Sequence, residues 1–393
     1  MNTDFSNVMY ATAVPVPVEP TIAVAGSLER NPSSYRLPQS SLRCIQQHQI
    51  QQLKQQGFTS GLAKALSNAK AYFPLRIWVL DNSGSMHKAD GHRIVETTLN
   101  RDVKFIDCTR WEELHECVNY HIQLAALLEA PTTFRLLNDP GVLAGSQQFG
   151  VAEMGDDQIS NEVQTARDIV RKTSPSGVTP LTRHIEEIQV AVRSMAADLN
   201  QRGQRVALVI ATDGLPTDAE GMAGKFEQSR FVEALRSLER LPVWVVIRLC
   251  TNEEDVVEFY NSLDEQLELS MEVLDDFVEE AQEVHGHNPW LNYALPLHRM
   301  REFGFHDRIF DMLDERALTE GELREFCVFL FGVDNLDGFP DPGANWPGFI
   351  QEVDRLANQE GPQWNPIKKK VTPWIDVKKL DKIYGDGTKC TIM

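Results

Sequence analysis

Three short segments of the 393-residue chain concentrate oxygen donors: Asp81-Asn82-Ser83-Gly84-Ser85, Gly177-Val178-Thr179-Pro180-Leu181 and Ala211-Thr212-Asp213-Gly214. Within them Asp81, Asp213, Ser83, Ser85 and Thr179 make a donor set of two carboxylates and three hydroxyls, without nitrogen or sulfur. Mg2+ takes near-octahedral oxygen ligands at about 2.0 to 2.1 Å and sheds water reluctantly, so hydroxyls with water-bridged carboxylates suit it, and Mn2+ accepts the same donors. A plainer role for Ser83 and Ser85 is to cap the helix that follows. Other chemistries lack their residues. There is no Gly-x-Ser-x-Gly elbow, and the nearest phosphate-loop candidate has Ala219 where its first glycine belongs ahead of Gly224-Lys225. Around Asp334 to Gly338 an EF-hand would need Asp at 333 and Glu at 344, where the chain has Val333 and Ala344. The cysteines at 44, 108, 117, 250, 327 and 390 show no metal-ligand spacing. No catalytic constellation emerges, and the expectation is a protein that is not an enzyme.

The elements that must hold these donors are legible as apolar runs. Residues 75–80 form a short apolar stretch ending in Asp81, which reads as a buried parallel strand. Similar runs recur at 134–137, 205–212 and 243–249, and helical patterns lie between them at 111–130, 159–172, 181–199, 230–240 and 254–267. Alternating strands and helices predict an α/β fold: a doubly wound, Rossmann-like, mostly parallel sheet flanked by helices, with a helical C-terminal extension. Ligands of such sheets bind outside the carboxyl ends of the strands, which is where Asp81 and Asp213 fall.

In order and placement the three segments resemble the von Willebrand factor A domain family and its metal-ion-dependent adhesion site, over about half the chain. The resemblance implies that Ser83 and Ser85 give hydroxyl oxygens directly to Mg2+ or Mn2+. It implies that Thr179 binds directly or through water, and that Asp81 and Asp213 hold coordinated waters. It also implies a protein partner that donates an Asp or Glu carboxylate to the ion. One departure stands out. In the family the metal loop runs straight into the first helix, whereas here residues 86–110 intervene with two alternating stretches, 93–98 and 103–109, that predict a hairpin beside the metal face. Such an insertion either shapes the choice of partner or covers the ion. His87 and His92 within it read as surface residues.

Domain boundaries follow from composition. Residues 1–40 hold Val14-Pro15-Val16-Pro17 and no sustained period, predicting a disordered arm; 41–72 read as a helical lead-in packed on the main domain; 73–287 are the von Willebrand A-like domain. Residues 288–360 form a helical region, in which Thr319 and Glu322 make a capping box before an apolar stripe, and 361–393 a basic, flexible tail. The chain ends in Cys390-Thr391-Ile392-Met393, a prenylation box whose last residue favours farnesyl. Residues 368–389 hold seven lysines and three aspartates, suited to an anionic membrane surface.

With 38 Lys plus Arg against 57 Asp plus Glu, the net charge is -19, which argues against nucleic acid and for a cation as partner. Residues 252–285 carry thirteen acids and no Lys or Arg, read as solvated helix faces. Scattered cysteines and the absence of a long apolar run predict a cytoplasmic protein, peripheral on a membrane face. The competing expectations are a metal-dependent phosphoester hydrolase, and a scaffold acting through its helical C-terminal region.

Overall fold

The computed structural model describes residues 35, 37, 46–96, 103–334 and 338–385, so Cys390, most of the predicted arm and the hairpin tip lie outside the described residues. The described residues divide into two compact units. One holds 70–274 with Tyr35 and Leu37; the other holds 46–69 with 275–334 and 338–385. No described helix is long and apolar enough to cross a membrane.

Two helices come first, α1 (Gln47–Gln55) and α2 (Ser60–Tyr72). The first unit then runs β1 (Leu75–Leu80), a 3-10 turn (Gly84–His87), β2 (Gly91–Glu96), β3 (Val103–Cys108), α3 (Arg110–Leu128), β4 (Thr132–Leu136) and β5 (Gln148–Val151). It continues through α4 (Ile159–Lys172), α5 (Leu181–Arg202), β6 (Val206–Thr212), α6 (Lys225–Arg236), β7 (Val243–Leu249), α7 (Glu254–Asn261), α8 (Leu263–Gln266) and β8 (Met271–Leu274). The main sheet has six strands in the order β5-β4-β1-β6-β7-β8, parallel except for the antiparallel edge strand β5. This is the doubly wound α/β architecture the sequence predicts.

Strands β1, β6 and β7 are buried throughout, as expected of central parallel strands covered on both faces. Alternation divides their side chains. Ile77, Val79, Leu208, Ile210, Val245 and Ile247 enter one core with Leu181, Ile185 and Ile188 of α5 and Phe231 of α6. Trp78 takes the other face, where its ring meets His121 of α3 at 4.7 Å and Phe134 of β4 at 6.1 Å. Each such side chain contributes about 1.5 to 3 kcal/mol on full burial, so the sheet is anchored from both sides. Tyr35, which the sequence places in the predicted arm, is buried in this first core.

The predicted hairpin is present, with β2 and β3 paired antiparallel from Gly91↔Cys108 to Glu96↔Val103. Several boundaries differ from expectation. Residues 254–267 form two helices separated at Ser262, followed by the strand β8, and β5 adds a second short edge strand. The main domain ends at Leu274 rather than 287.

The second unit contains α1, α2 through Ala69, α9 (Phe277–His287), α10 (Leu295–Glu302), α11 (Arg308–Glu315), α12 (Glu320–Phe331), α13 (Trp346–Ala357), β9 (Gln363–Asn365), β10 (Lys370–Thr372) and α14 (Val377–Tyr384). The lead-in helices therefore belong to the C-terminal unit, contrary to expectation. The cause is a close backbone approach: a Cβ on Gly61 would lie 2.0 Å from Phe329 O and 2.4 Å from Gly332 N, so α2 and α12 touch only because position 61 is glycine. The expected flexible tail is also corrected. Residues 363–384 are built into this unit, with Trp374, Ile375 and Leu380 buried and backbone bonds from Asn292 N to Trp374 O (2.9 Å) and from Asp376 N to Trp290 O (2.8 Å).

Candidate metal centre

β1 and β6 lie side by side with Leu80 opposite Ala211, and the chain leaves them in opposite directions, towards β4 from one and towards β7 from the other. Their carboxyl ends form the switch point of the sheet, the crevice where doubly wound folds receive ligands. Asp81 and Asp213 are the residues that immediately follow the two strands.

Asp81 is fully buried and spends both oxygens locally. Oδ1 accepts from Ser83 N at 2.8 Å and Oδ2 accepts from Thr212 Oγ1 at 2.7 Å. The first bond folds the loop so that the Ser83 and Ser85 hydroxyl oxygens lie 2.9 Å apart, and Ser85 Oγ donates to Asp213 Oδ1 at 2.8 Å. Ser83 precedes the 3-10 turn, yet its side chain makes no capping bond to it, so the plainer capping role is not what its hydroxyl does.

The Thr179 loop closes over this pair. Gly84 N donates to Gly177 O (3.2 Å) and Ser176 N to Asn82 O (2.7 Å), while Thr179 N donates to Thr217 Oγ1 (3.1 Å) in the loop after β6. A Cβ on Gly214 would stand 3.7 Å from Thr179 Oγ1, which locates that hydroxyl against the residue that follows Asp213. Asn82 and Asn138 exchange bonds between side chain and backbone (2.8 and 3.1 Å), and Asn138 Nδ2 donates to Val178 O (2.8 Å). Gly177 sits at φ +87°, and a Cβ there would lie 2.5 Å from Asn138 Oδ1. All five expected positions, Asp81, Ser83, Ser85, Thr179 and Asp213, thus meet at one crevice. His87 and His92 do not join them: His87 Nε2 lies 3.0 Å from Pro175 O, and His92 is exposed, 3.6 Å from Asp107.

The two carboxylates are compensated differently. Burial first, and the charge of Asp213 second, push Asp81 up to about 6, against the bonds from Thr212 and Ser83 that favour its ionised form. Asp213 has a cation of its own, because Arg110 Nη1 donates to its Oδ2 at 2.9 Å. Burial alone would lower that guanidinium, but the hydrogen bonds it donates to Asp90, Glu253 and Asp213 outweigh it and hold Arg110 above its ordinary value. Two contributors were not assigned from sequence: Thr212, although it stands inside the quoted motif, and Arg110, whose carboxylate partners at 90, 213 and 253 have no shared spacing to reveal them.

As a donor set the crevice fits a small hard cation. The five side chains offer hydroxyl and carboxylate oxygens, those of Ser83, Ser85 and Asp213 lie within hydrogen-bonding distance of one another, and four of the five are buried while Ser85 is half-buried. Ser83, Ser85 and Thr179 are placed to hold such an ion, with Asp81 and Asp213 behind them. Burial pushes the thiols of Cys108, at the end of β3, and Cys250, just after β7, up to about 12, so these two stay protonated. No protein-family model matches the chain, and no curated protein matches it.

Proposed function

We propose that this crevice binds Mg2+ or Mn2+ and that the bound ion captures a carboxylate from a protein partner, as the likeness to the von Willebrand A domain family implies. The observation that carries the proposal is the contact chain Ser83 Oγ, Ser85 Oγ and Asp213 Oδ1, closed at 2.9 and 2.8 Å over the switch point of a doubly wound sheet. Neutral hydroxyls against the ion leave its charge undercompensated, so an outside anionic oxygen completes it. The protein is then a metal-dependent binding module, and its partner is recognised by an exposed Asp or Glu. Isothermal titration of the full chain with Mn2+ and with Mg2+ tests the site. The expected result is one ion per chain, with the heat lost in Asp81→Ala and in Ser83→Ala; equal heats in the variants would sink the proposal.

A second, separable part of the reading concerns location. Cys390-Thr391-Ile392-Met393 supports a farnesylated, cytoplasmic protein held at a membrane surface, with the lysines between 368 and 389 adding attraction to anionic lipid. A single prenyl chain anchors only marginally, so a second signal of this kind belongs in the account. Mass spectrometry of the protein from a eukaryotic host, beside Cys390→Ser, reads the modification directly; an unmodified mature cysteine removes this part and leaves the metal site untouched.

A further inference from the structure

The motif does not account for Arg110. It opens α3, its side chain is buried at 1% exposure, and its guanidinium meets three carboxylates. Nε and Nη2 grip both oxygens of Asp90 (2.7 and 2.6 Å), Nη2 also donates to Glu253 (2.7 Å), and Nη1 reaches Asp213 Oδ2 (2.9 Å). The inserted hairpin builds this arrangement. Asp90 stands just before β2 and Arg110 just after β3, and Arg110 N donates to Lys88 O at 3.0 Å. The base of the insertion is tight, because a Cβ on Gly91 would lie 2.9 Å from Thr109 O. An arginine keeps its charge at any ordinary pH, and a guanidinium held at all three nitrogens cannot swing away without breaking several bonds at once.

Asp81 and Asp213 bring carboxylates and the serines and Thr179 neutral hydroxyls, and Arg110 sets a positive charge directly against Asp213 while Asp90 and Glu253 share it from the other side. A divalent ion entering here shares Asp213 with a guanidinium already bonded to it. We propose that Arg110 is a resident cation of this site, delivered by the hairpin insertion, which competes with the divalent ion for Asp213 and keeps the affinity for the bare ion low. The loaded site then depends on the partner's carboxylate to hold its metal. This rests on the metal-binding reading above and adds the regulation of that same site.

The test is a Mn2+ titration of the full-length chain followed by electron paramagnetic resonance, with folding of each variant checked by circular dichroism. Arg110→Met binds Mn2+ about tenfold more tightly than the unaltered chain, as expected when a like charge leaves a partly buried site. Arg110→Lys keeps the charge and stays within about threefold of the unaltered affinity. Should Arg110→Met fail to fold, Asp90→Asn combined with Glu253→Gln leaves Arg110 with Asp213 as its remaining carboxylate among the three, and Mn2+ binding weakens at least about threefold. Equal or weaker binding in Arg110→Met, or unaltered affinity in the double variant, overturns the proposal. If the unaltered chain binds Mn2+ no better than Asp81→Ala, the metal-binding reading fails and takes this proposal with it. If it binds and Arg110→Met is no tighter, the resident-cation proposal alone fails.

Discussion

Asp81 faces Asp213 across the crevice without a guanidinium of its own, and that asymmetry sets what each residue contributes. Asp81 is held by a hydroxyl and an amide, and its rise from 3.8 to about 6 is a cost carried by the folded chain at neutral pH. At about 1.4 kcal/mol per unit, and reduced by relaxation, Asp81→Asn stabilises the metal-free chain by about 1 to 2 kcal/mol in urea unfolding at pH 7.5. The same change removes Mn2+ binding; a less stable Asn variant would mean that the carboxylate serves the fold and not the ion. His184 carries the opposite sign. Burial first, and the neighbouring charge of Arg135 second, push its imidazole down to about 4, with Arg135 Nε donating to its Nδ1 at 2.8 Å. The unfolded chain accepts a proton near pH 6.5 that the folded chain refuses until about 4, so stability present above 6.5 is lost as pH falls through that window. Unfolding free energies from urea titrations at pH 7 and pH 4.5 differ by about 2 kcal/mol from this group, and His184→Gln flattens the difference. An unchanged slope would show that other groups dominate the acid limb.

At the scale of elements, the metal loop is positioned by its neighbours more than by itself. Gly177 carries the loop of Thr179 at a φ of +87° with Asn138 against it, so Gly177→Ala costs about 2 kcal/mol and lowers Mn2+ affinity although no proposed ligand is altered. Denaturation and metal titration of that single variant check both halves. Much of this architecture is legible in the sequence. β1, β6 and β7 announce themselves as apolar runs because they are covered on both faces, and the donors follow the strands whose ends meet. β5 and β8 are missed because four-residue edge strands such as Gln148–Val151 and Met271–Leu274 leave too short a pattern. The C-terminal segment reads as a tail because its lysines outweigh the few residues that seat it, Trp374, Ile375 and Leu380. Arg110 is invisible for a different reason. Its partners are separated by up to 163 positions, from Asp90 to Glu253, and only the folded sheet brings them to one guanidinium.

For the molecule as a whole, the net charge of -19 is not spread evenly over a solvated surface. Part of the acidic run at 252–285 does internal work: Glu253 meets Arg110 and Lys88, Asp276 caps α9 through Val278 N and Glu279 N, and buried Glu280 pairs with Arg301. The lysines between 368 and 382 stand on the β9–β10 hairpin and α14, so they belong to the C-terminal unit itself. An acidic chain with a crevice of hydroxyls and carboxylates is suited to gather divalent cations, since a negative field raises their local concentration. Whether the crevice holds one is decided most directly by an anomalous-scattering map from crystals of the full chain grown with Mn2+. The account predicts a single strong peak among Ser83, Ser85 and Thr179, with Asp81 and Asp213 behind it, and no such peak in Ser83→Ala. Empty density there, or a peak that lies elsewhere and survives in Ser83→Ala, would contradict it.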